Sequence, residues 1–278
     1  MVKAAKRFVA MTIAGSDPGG GAGLQADLKT FAANGVYGFS VVTAVIAQNS
    51  AHVTRVEPVS AAMVTEQIAT IAAERRPDAL KTGALGSGDV VRAVVESIRQ
   101  FKLPAPVVDP VLISSSGARL LDEAGEHALR SMLLPLARVV TPNIPEAEAL
   151  SGIAIDGPVA MRAAARALRR LGAWAVVIKG GHSLRGQADE DAASRQDRVI
   201  DLLFDGRTFT EFATARIAGG GAHGTGCAFS AAIAAGLARG DDLEAAVRHA
   251  QAFVARALRS RFTLGAHGRA LLDHFARR

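Results

Sequence analysis

The chain is 278 residues long, 49% hydrophobic but only 5% aromatic, with a formal charge of +6 and a mean hydropathy of +0.21. An apolar content dominated by Ala, Val, Leu and Ile is enough for a large core and suits helices on a parallel sheet better than an all-β sandwich. A single cysteine excludes an internal disulfide and a zinc ribbon; dispersed arginines without interleaved aromatics form no nucleic-acid module; no apolar run reaches the roughly 18 residues of a membrane span.

The chain opens with "MVKAAKRFVAMTIAGSDPGG", basic and then apolar in the manner of a secretory signal. The apolar run is short and ends in Gly-Ser-Asp-Pro-Gly-Gly instead of a small-residue cleavage site, so residues 8–14 are predicted as a first strand and the protein as cytoplasmic. A helix over 22–34, a strand over 39–47, a helix over 61–74, a strand over 79–82 and a helix over 89–101 follow. Next come a strand over 106–109, a helix over 123–133, a strand over 138–141, a helix over 158–171 and strands over 175–179 and 199–204. Helices over 225–239 and 243–261 end the pattern. Such alternation predicts an α/β fold with an open, mostly parallel, doubly wound sheet. No linker or repeat interrupts it, so one domain over 1–278 is expected. The polar stretch 181–198 reads as an exposed insertion or a functional flap.

In open parallel sheets ligands bind beyond the C-terminal strand ends. There the chain places "GSDPGGGAGLQAD", "AQNS", "KTGALGSGD", "DPVLISSSG", "TPNIPEAE" and "KGGHS", six polar or glycine-rich loops on one rim. The loop from Gly15 to Gly23 is shaped like a phosphate cradle, yet lacks both the Lys-Ser/Thr ending of a P-loop and dinucleotide-fold spacing. A sharp turn at Asp17-Pro18 explains it equally well. Asp27 is either a solvated helix charge or a group pointing back into the site. Pro145 at a first helical position would put Glu146 near a helix start, where Asn143 and Glu146 either share a water-filled Mg²⁺ site or form a capping arrangement. Asp109 adds a rim carboxylate, and Lys179 a cation placed for phosphate.

The stretch "AHGTGCAFSAAIAAGL" puts the lone thiol, Cys227, behind glycines at a helix mouth. The N–H groups of Gly224, Thr225, Gly226 and Cys227 would face an anion, favoured by the helix dipole. A thiol there is expected to have a lowered pKa and to accept a proton from a substrate hydroxyl, an arrangement suited to phosphoryl transfer.

With "TIAGSDPGGGAGLQADLKTF", "TAVIAQNS", "DPVL", "TPNIPEAEAL", "VIKGGH", "DLLFDG" and "HGTGC" in order from Val9 to Leu237, the chain resembles the hydroxymethylpyrimidine and phosphomethylpyrimidine kinases of thiamin synthesis. The resemblance implies a ribokinase-like three-layer α/β/α fold, ATP and Mg²⁺ as cofactors, and a homodimer that takes small pyrimidines but neither nucleic acid nor membrane. It implies phosphorylation of 4-amino-5-hydroxymethyl-2-methylpyrimidine and then of the monophosphate. Cys227, Gly224, Thr225, Gly226 and Lys179 become the catalytic group. Gly15, Asp27, Gln48, Ala84 and Val111 line the substrate pocket, with Gln48 pairing with the pyrimidine. Asp109, Asn143, Lys179 and Thr225 contact the nucleotide, and Glu146, Asp109 and Asn143 hold the metal through water. The chain departs from the family at Ala84 (a methionine), at Ser115 and Gln251 (lysines) and in its tail. Those lost cations predict a slower second phosphorylation. The lost methionine leaves room for another ring, so a pyridoxal or pyridoxine kinase is the alternative. A non-catalytic ligand-binding protein on a kinase scaffold is a further one.

Overall fold

A computed structural model describes residues 7–114, 117–181, 198–265 and 268–276. The elements run β1 (Val9–Ala14), α1 (Gly23–Ala33), β2 (Tyr37–Val42), β3 (Ala44–Gln48), β4 (Val53–Pro58), α2 (Ala61–Glu74), β5 (Ala79–Thr82) and α3 (Gly88–Gln100). They continue with β6 (Val107–Val108), α4 (Glu123–Ala128), β7 (Val139–Val140), α5 (Ile144–Ser151), α6 (Pro158–Arg170) and β8 (Val176–Ile178). The last four are β9 (Arg198–Phe204), β10 (Phe209–Ala215), α7 (Thr225–Arg239) and α8 (Leu243–Arg259).

Eight strands form one sheet in the order β10-β9-β8-β7-β6-β5-β1-β2, parallel from β8 to β2, with β9 antiparallel to both its neighbours. The central strands are short and apolar because both faces are covered, and all six residues of β1 are buried. Alternate side chains feed two cores. Met11, Ile13, Val108 and Val140 pack with residues of α2 to α6, whereas Ala10, Val107 and Val139 pack with α1, α7 and α8. Helices therefore lie on both faces, as the alternation predicts.

The structure alters that reading in three places. The single strand expected over 39–47 is two strands. Thr43 N–H donates to the Ala14 carbonyl and its hydroxyl to that of Ala84 (2.7 Å), pinning the chain at the end of β1, after which β3 leaves the sheet. β3 pairs with β4 as a separate antiparallel hairpin. Neither β4 nor β10 is predicted from the sequence: "VTRVEP" is largely exposed, and "FTEFATA" has one buried residue. The helix expected over 123–133 passes into a π-helical turn at Leu129–Leu133. Among the described residues no helix is long and apolar enough to cross a membrane.

Candidate active site

The rim loops enclose a cleft of about 440 Å³. A larger, open groove of about 830 Å³ lies at the other end of the sheet around Arg138 and Trp174, away from all six loops. The cleft is lined by Gly15, Gln48, Ala84, Asp109, Val111, Asn143, Glu146, Lys179, Gly224, Gly226 and Cys227, so the sequence brings most of its candidates to one place.

A row of alternating charges crosses the cleft floor. Lys81, from the fully buried strand β5, donates to Asp27 Oδ2 at 2.8 Å, and both side chains are 0% exposed. The Thr12 hydroxyl donates to the same oxygen at 2.6 Å. Further along, Lys179 Nζ donates to Asp109 Oδ1 at 2.9 Å, and Glu146 follows. Burial opposes each charge, yet Asp109 and Glu146 hold the Lys179 ammonium above its ordinary value, and Lys179 and Lys81 hold the Asp109 carboxyl below. For Lys81, Asp27 is the main stabiliser of the charge against burial. Asp27 itself is not a cleft wall. It stands behind Lys81, which occupies the wall instead. That corrects both expectations for Asp27: it is neither solvated nor aimed at substrate.

Asn143 caps α5: its Oδ1 accepts from Glu146 N at 2.8 Å, and Glu146 Oε2 accepts from Asn143 N at 2.8 Å. Ile144 takes the first helical position and Pro145 the second. The capping alternative is thus realised, and Glu146 is 8% exposed instead of lying on an open rim. Burial raises its carboxyl to about 7 against the pull of Lys179. Asn143 gives one acceptor position of its Oδ1 to the cap and still lines the cleft.

Helix α7 starts at Thr225 behind Gly224, whose φ of 83° and contact with the Gly21 carbonyl leave no room for a Cβ. A Cβ on Gly226 would meet Lys179 Nζ at 3.1 Å, which places the ammonium against the first turn of this helix. Cation and helix N-terminus together make an anion site. The Thr225 hydroxyl turns back to the Ala222 carbonyl (2.7 Å) and the residue does not line the cleft. The expectation of a lowered thiol pKa at Cys227 fails. Burial pushes it up to about 12, with Lys81 and a hydrogen bond from the Gly23 backbone opposing and Asp109 and Asp27 adding to the rise. At neutral pH Cys227 is a thiol, not a thiolate.

Three neighbours escape the sequence reading as site residues: Lys81, His223 and Asp17. Asp17 is 1% exposed, and its Oδ2 accepts from Ala22 N (2.7 Å), Gly21 N (3.0 Å) and His223 Nε2 (3.1 Å), while Oδ1 accepts from Gly19 N (3.0 Å). Burial pushes this carboxyl up, but hydrogen bonds from His223, Gln48 and Ala22 bring it down to about 2. The loop from Gly15 to Gly23 is therefore a turn folded around its own carboxylate, with Gly15 and Gly23 still on the cleft wall. Gln251 sits away from the cleft: its amide donates to Asp201 Oδ2 (3.1 Å) and to the Phe212 carbonyl (2.8 Å). It cannot stand for a lost phosphate contact. Ser115 and positions 182–197 of the expected flap lie outside the described residues.

A family profile described as phosphomethylpyrimidine kinase matches residues 17–271. A hydroxymethylpyrimidine/phosphomethylpyrimidine kinase of Rhizobium meliloti is 46% identical over 272 residues, covering 97% of both chains. A thiamine biosynthesis bifunctional protein of Geobacter sulfurreducens is 43% identical over 93% of this chain, which spans 51% of that protein's length. Among solved structures, the pyridoxal kinase of Staphylococcus aureus in complex with AMP-PCP and pyridoxal superposes with a TM-score of 0.85 at 35% identity, covering 98% of this chain and 94% of that one. Profile, full-length identity and the cleft agree: the chain belongs to the phosphomethylpyrimidine kinase family.

Proposed function

We propose that the protein is a single-domain, cytoplasmic kinase that transfers a phosphoryl group from ATP to the hydroxymethyl group of 4-amino-5-hydroxymethyl-2-methylpyrimidine and then to the resulting monophosphate, in thiamin biosynthesis. The observation that carries this reading is full-length identity to kinases of that name, combined with a cleft that joins Gln48 to an anion site at the start of α7. We read the enzyme as a homodimer acting on small molecules, a reading that rests on the family.

The chain's own groups account for phosphoryl transfer with little covalent chemistry, since positioning and charge stabilisation dominate such reactions. Lys179 and the N–H groups of Gly224 to Cys227 are placed to stabilise the negative charge spread over the oxygens of the transferred phosphoryl. Cys227, as a neutral thiol, orients the attacking hydroxyl; in a loose transition state the bond from that oxygen to phosphorus forms late, and its proton then passes to an oxygen of the transferred phosphoryl group, so no thiolate is needed at the outset. Gln48 holds the ring from the hairpin side. Asp109 and Glu146 fit Mg²⁺ held through water: they are hard oxygen donors beside Lys179, and the cap uses only one acceptor position of Glu146. When bound, the ion supplies charge neutralisation on the phosphate oxygens.

A second reading, phosphorylation of pyridoxal, is favoured by the close superposition on a pyridoxal-bound kinase and by Ala84 on the cleft wall. The deciding experiment measures phosphate transfer from ATP to the pyrimidine alcohol, to its monophosphate and to pyridoxal separately. Higher kcat/KM for pyridoxal than for the pyrimidine alcohol would reverse the assignment.

A further inference from the structure

The anion site is assembled from two elements, the Lys179 ammonium after β8 and the first turn of α7, and the end of β7 touches both. The Pro142 carbonyl accepts the Lys179 N–H at 2.9 Å, so the lysine backbone is registered on the residue that follows Thr141. On the other side the Thr141 hydroxyl lies 2.8 Å from the Ser230 hydroxyl, which donates to the Gly226 carbonyl one turn earlier in α7 at 3.0 Å. Gly226 is the residue on which a Cβ would meet Lys179 Nζ at 3.1 Å. The path therefore closes on itself, from Lys179 through Pro142, Thr141, Ser230 and Gly226 back to Lys179. Val108 braces it from β6. Its carbonyl accepts the Thr141 N–H at 2.9 Å and lies 3.3 Å from the Thr141 hydroxyl, and Asp109, next in the chain, accepts from Lys179 Nζ.

Thr141 and Ser230 are both 0% exposed. Two proton orders satisfy the pair: Thr141 to Ser230 to the Gly226 carbonyl, or Ser230 to Thr141 to the Val108 carbonyl. Each order keeps the bond between the hydroxyls. Packing alone does not call for a hydroxyl at this depth, where the neighbours of Ser230 in α7 are Ala228, Phe229, Ala231 and Ala232, all buried. We infer that Thr141 and Ser230 are positioning residues for phosphoryl transfer, whose hydroxyl pair sets the spacing between the Lys179 ammonium and the N–H groups at the start of α7. The inference rests on the kinase reading above and adds the part of the fold that fixes its anion site. Neither residue lines the cleft, so neither touches a bound phosphate. Without the pair, the helix start can slide against Lys179 while both elements stay folded, and a reaction that depends on positioning and charge is sensitive to that slide.

The test uses Thr141→Val, which removes the hydroxyl, with Thr141→Ser as the conservative counterpart that keeps it. Thr141→Val should lower kcat for the pyrimidine alcohol by about tenfold or more, and Ser230→Ala should match it. Thr141→Ser should stay within about threefold of the wild type. The double variant should fall within about twofold of either single one, because all three lose the same bond. Calorimetric titration in the presence of Mg²⁺ supplies a readout that a loss of stability does not move. AMP-PCP, whose terminal phosphoryl reaches the anion site, should bind Thr141→Val about fivefold or more weakly than it binds the wild type, whereas ADP, which lacks that group, should change by less than about twofold. Equal losses for the two nucleotides, or none, would overturn the inference, as would a lowered melting temperature with kcat unchanged. Should Thr141→Val not fold, Ser230→Ala, which adds an alanine to an alanine-rich helix, replaces it in every measurement. A wild type that transfers phosphate to neither the pyrimidines nor pyridoxal defeats the functional reading, and the two nucleotides then decide the positioning by themselves.

Discussion

Replacing Asp27 by Asn takes from the Lys81 ammonium its hydrogen-bonded counter-charge, in a place where it is 0% exposed, and leaves it the Asp109 carboxylate, which already serves Lys179. Breaking a buried pair from one side costs about 3–5 kcal/mol, because the remaining charge loses its main compensation. A second route gives the same size. An ammonium forced to give up its proton at pH 7, from an unfolded value near 10.4, costs about 4.6 kcal/mol at about 1.36 kcal/mol per unit. The sign with pH follows. In the variant the folded-state pKa of Lys81 is depressed, the unfolded chain binds the extra proton, and stability rises with pH until the unfolded lysine also titrates. In the wild type Asp27 holds Lys81 above its ordinary value, so the lysine stays charged over this range and the difference between the two proteins carries the signal. Urea denaturation followed by circular dichroism should give a deficit of about 3–5 kcal/mol at pH 7 that shrinks to below about 1 kcal/mol at pH 10. Adding Lys81→Met should recover most of the loss at pH 7. A deficit under about 1 kcal/mol at pH 7, or one equal at both pH values, would refute the picture of a charged, mutually dependent pair.

Cys227→Ala should lower kcat by roughly 10² through lost positioning of the hydroxyl, whereas Cys227→Ser should retain far more activity, and the wild-type kcat should show no Cys227-dependent limb between pH 7 and 9, since burial pushes the thiol up to about 12. A limb in that window, absent from the serine variant, would restore the thiolate base. Glu146, raised to about 7 by burial, should make the Mg²⁺ requirement grow as pH falls from 7 to 6, because the protonated acid no longer attracts the ion. Glu146→Gln should flatten that dependence in a Mg²⁺ titration of kcat/KM, and an unchanged titration would reduce the glutamate to a helix cap. Phosphorylation of the monophosphate is expected to be slower than that of the alcohol, and Gln251→Lys should not accelerate it beyond twofold, because that amide is bound to Asp201 and Phe212 outside the cleft. A tenfold gain would mean that the position reaches substrate after all.

The sheet and its rim are legible because buried parallel strands must be short apolar runs and their ligand loops must be polar; six quoted loops meet as expected. The hairpin is harder to read. Its second strand, with Arg55 and Glu57 paired in solvent at 2.7 Å, has no buried face to impose alternation. The contacts of Thr43 with Ala14 and Ala84, which end β2, join residues far apart in sequence. Lys81 carries a signal: a lysine inside the four-residue run "ALKT" on a central strand needs a carboxylate, and its partner Asp27 lies 54 residues earlier in the chain. The protonation of the thiol is not legible in the sequence, because its determinants are non-local. A helix N-terminus lowers a pKa locally, but the burial that opposes it, and the carboxylates of Asp109 and Asp27, come from other parts of the chain.

The thiol at the mouth of α7 is the only one among 278 residues. A sulfhydryl reagent can therefore mark this protein at one position, and that position borders the cleft, so no background sites need to be removed first. Because the reactive species is the thiolate and this thiol is held protonated, labelling is slow at neutral pH and quickens in alkaline buffer. A chromophore attached there reports directly on whatever next occupies the space beside Lys179.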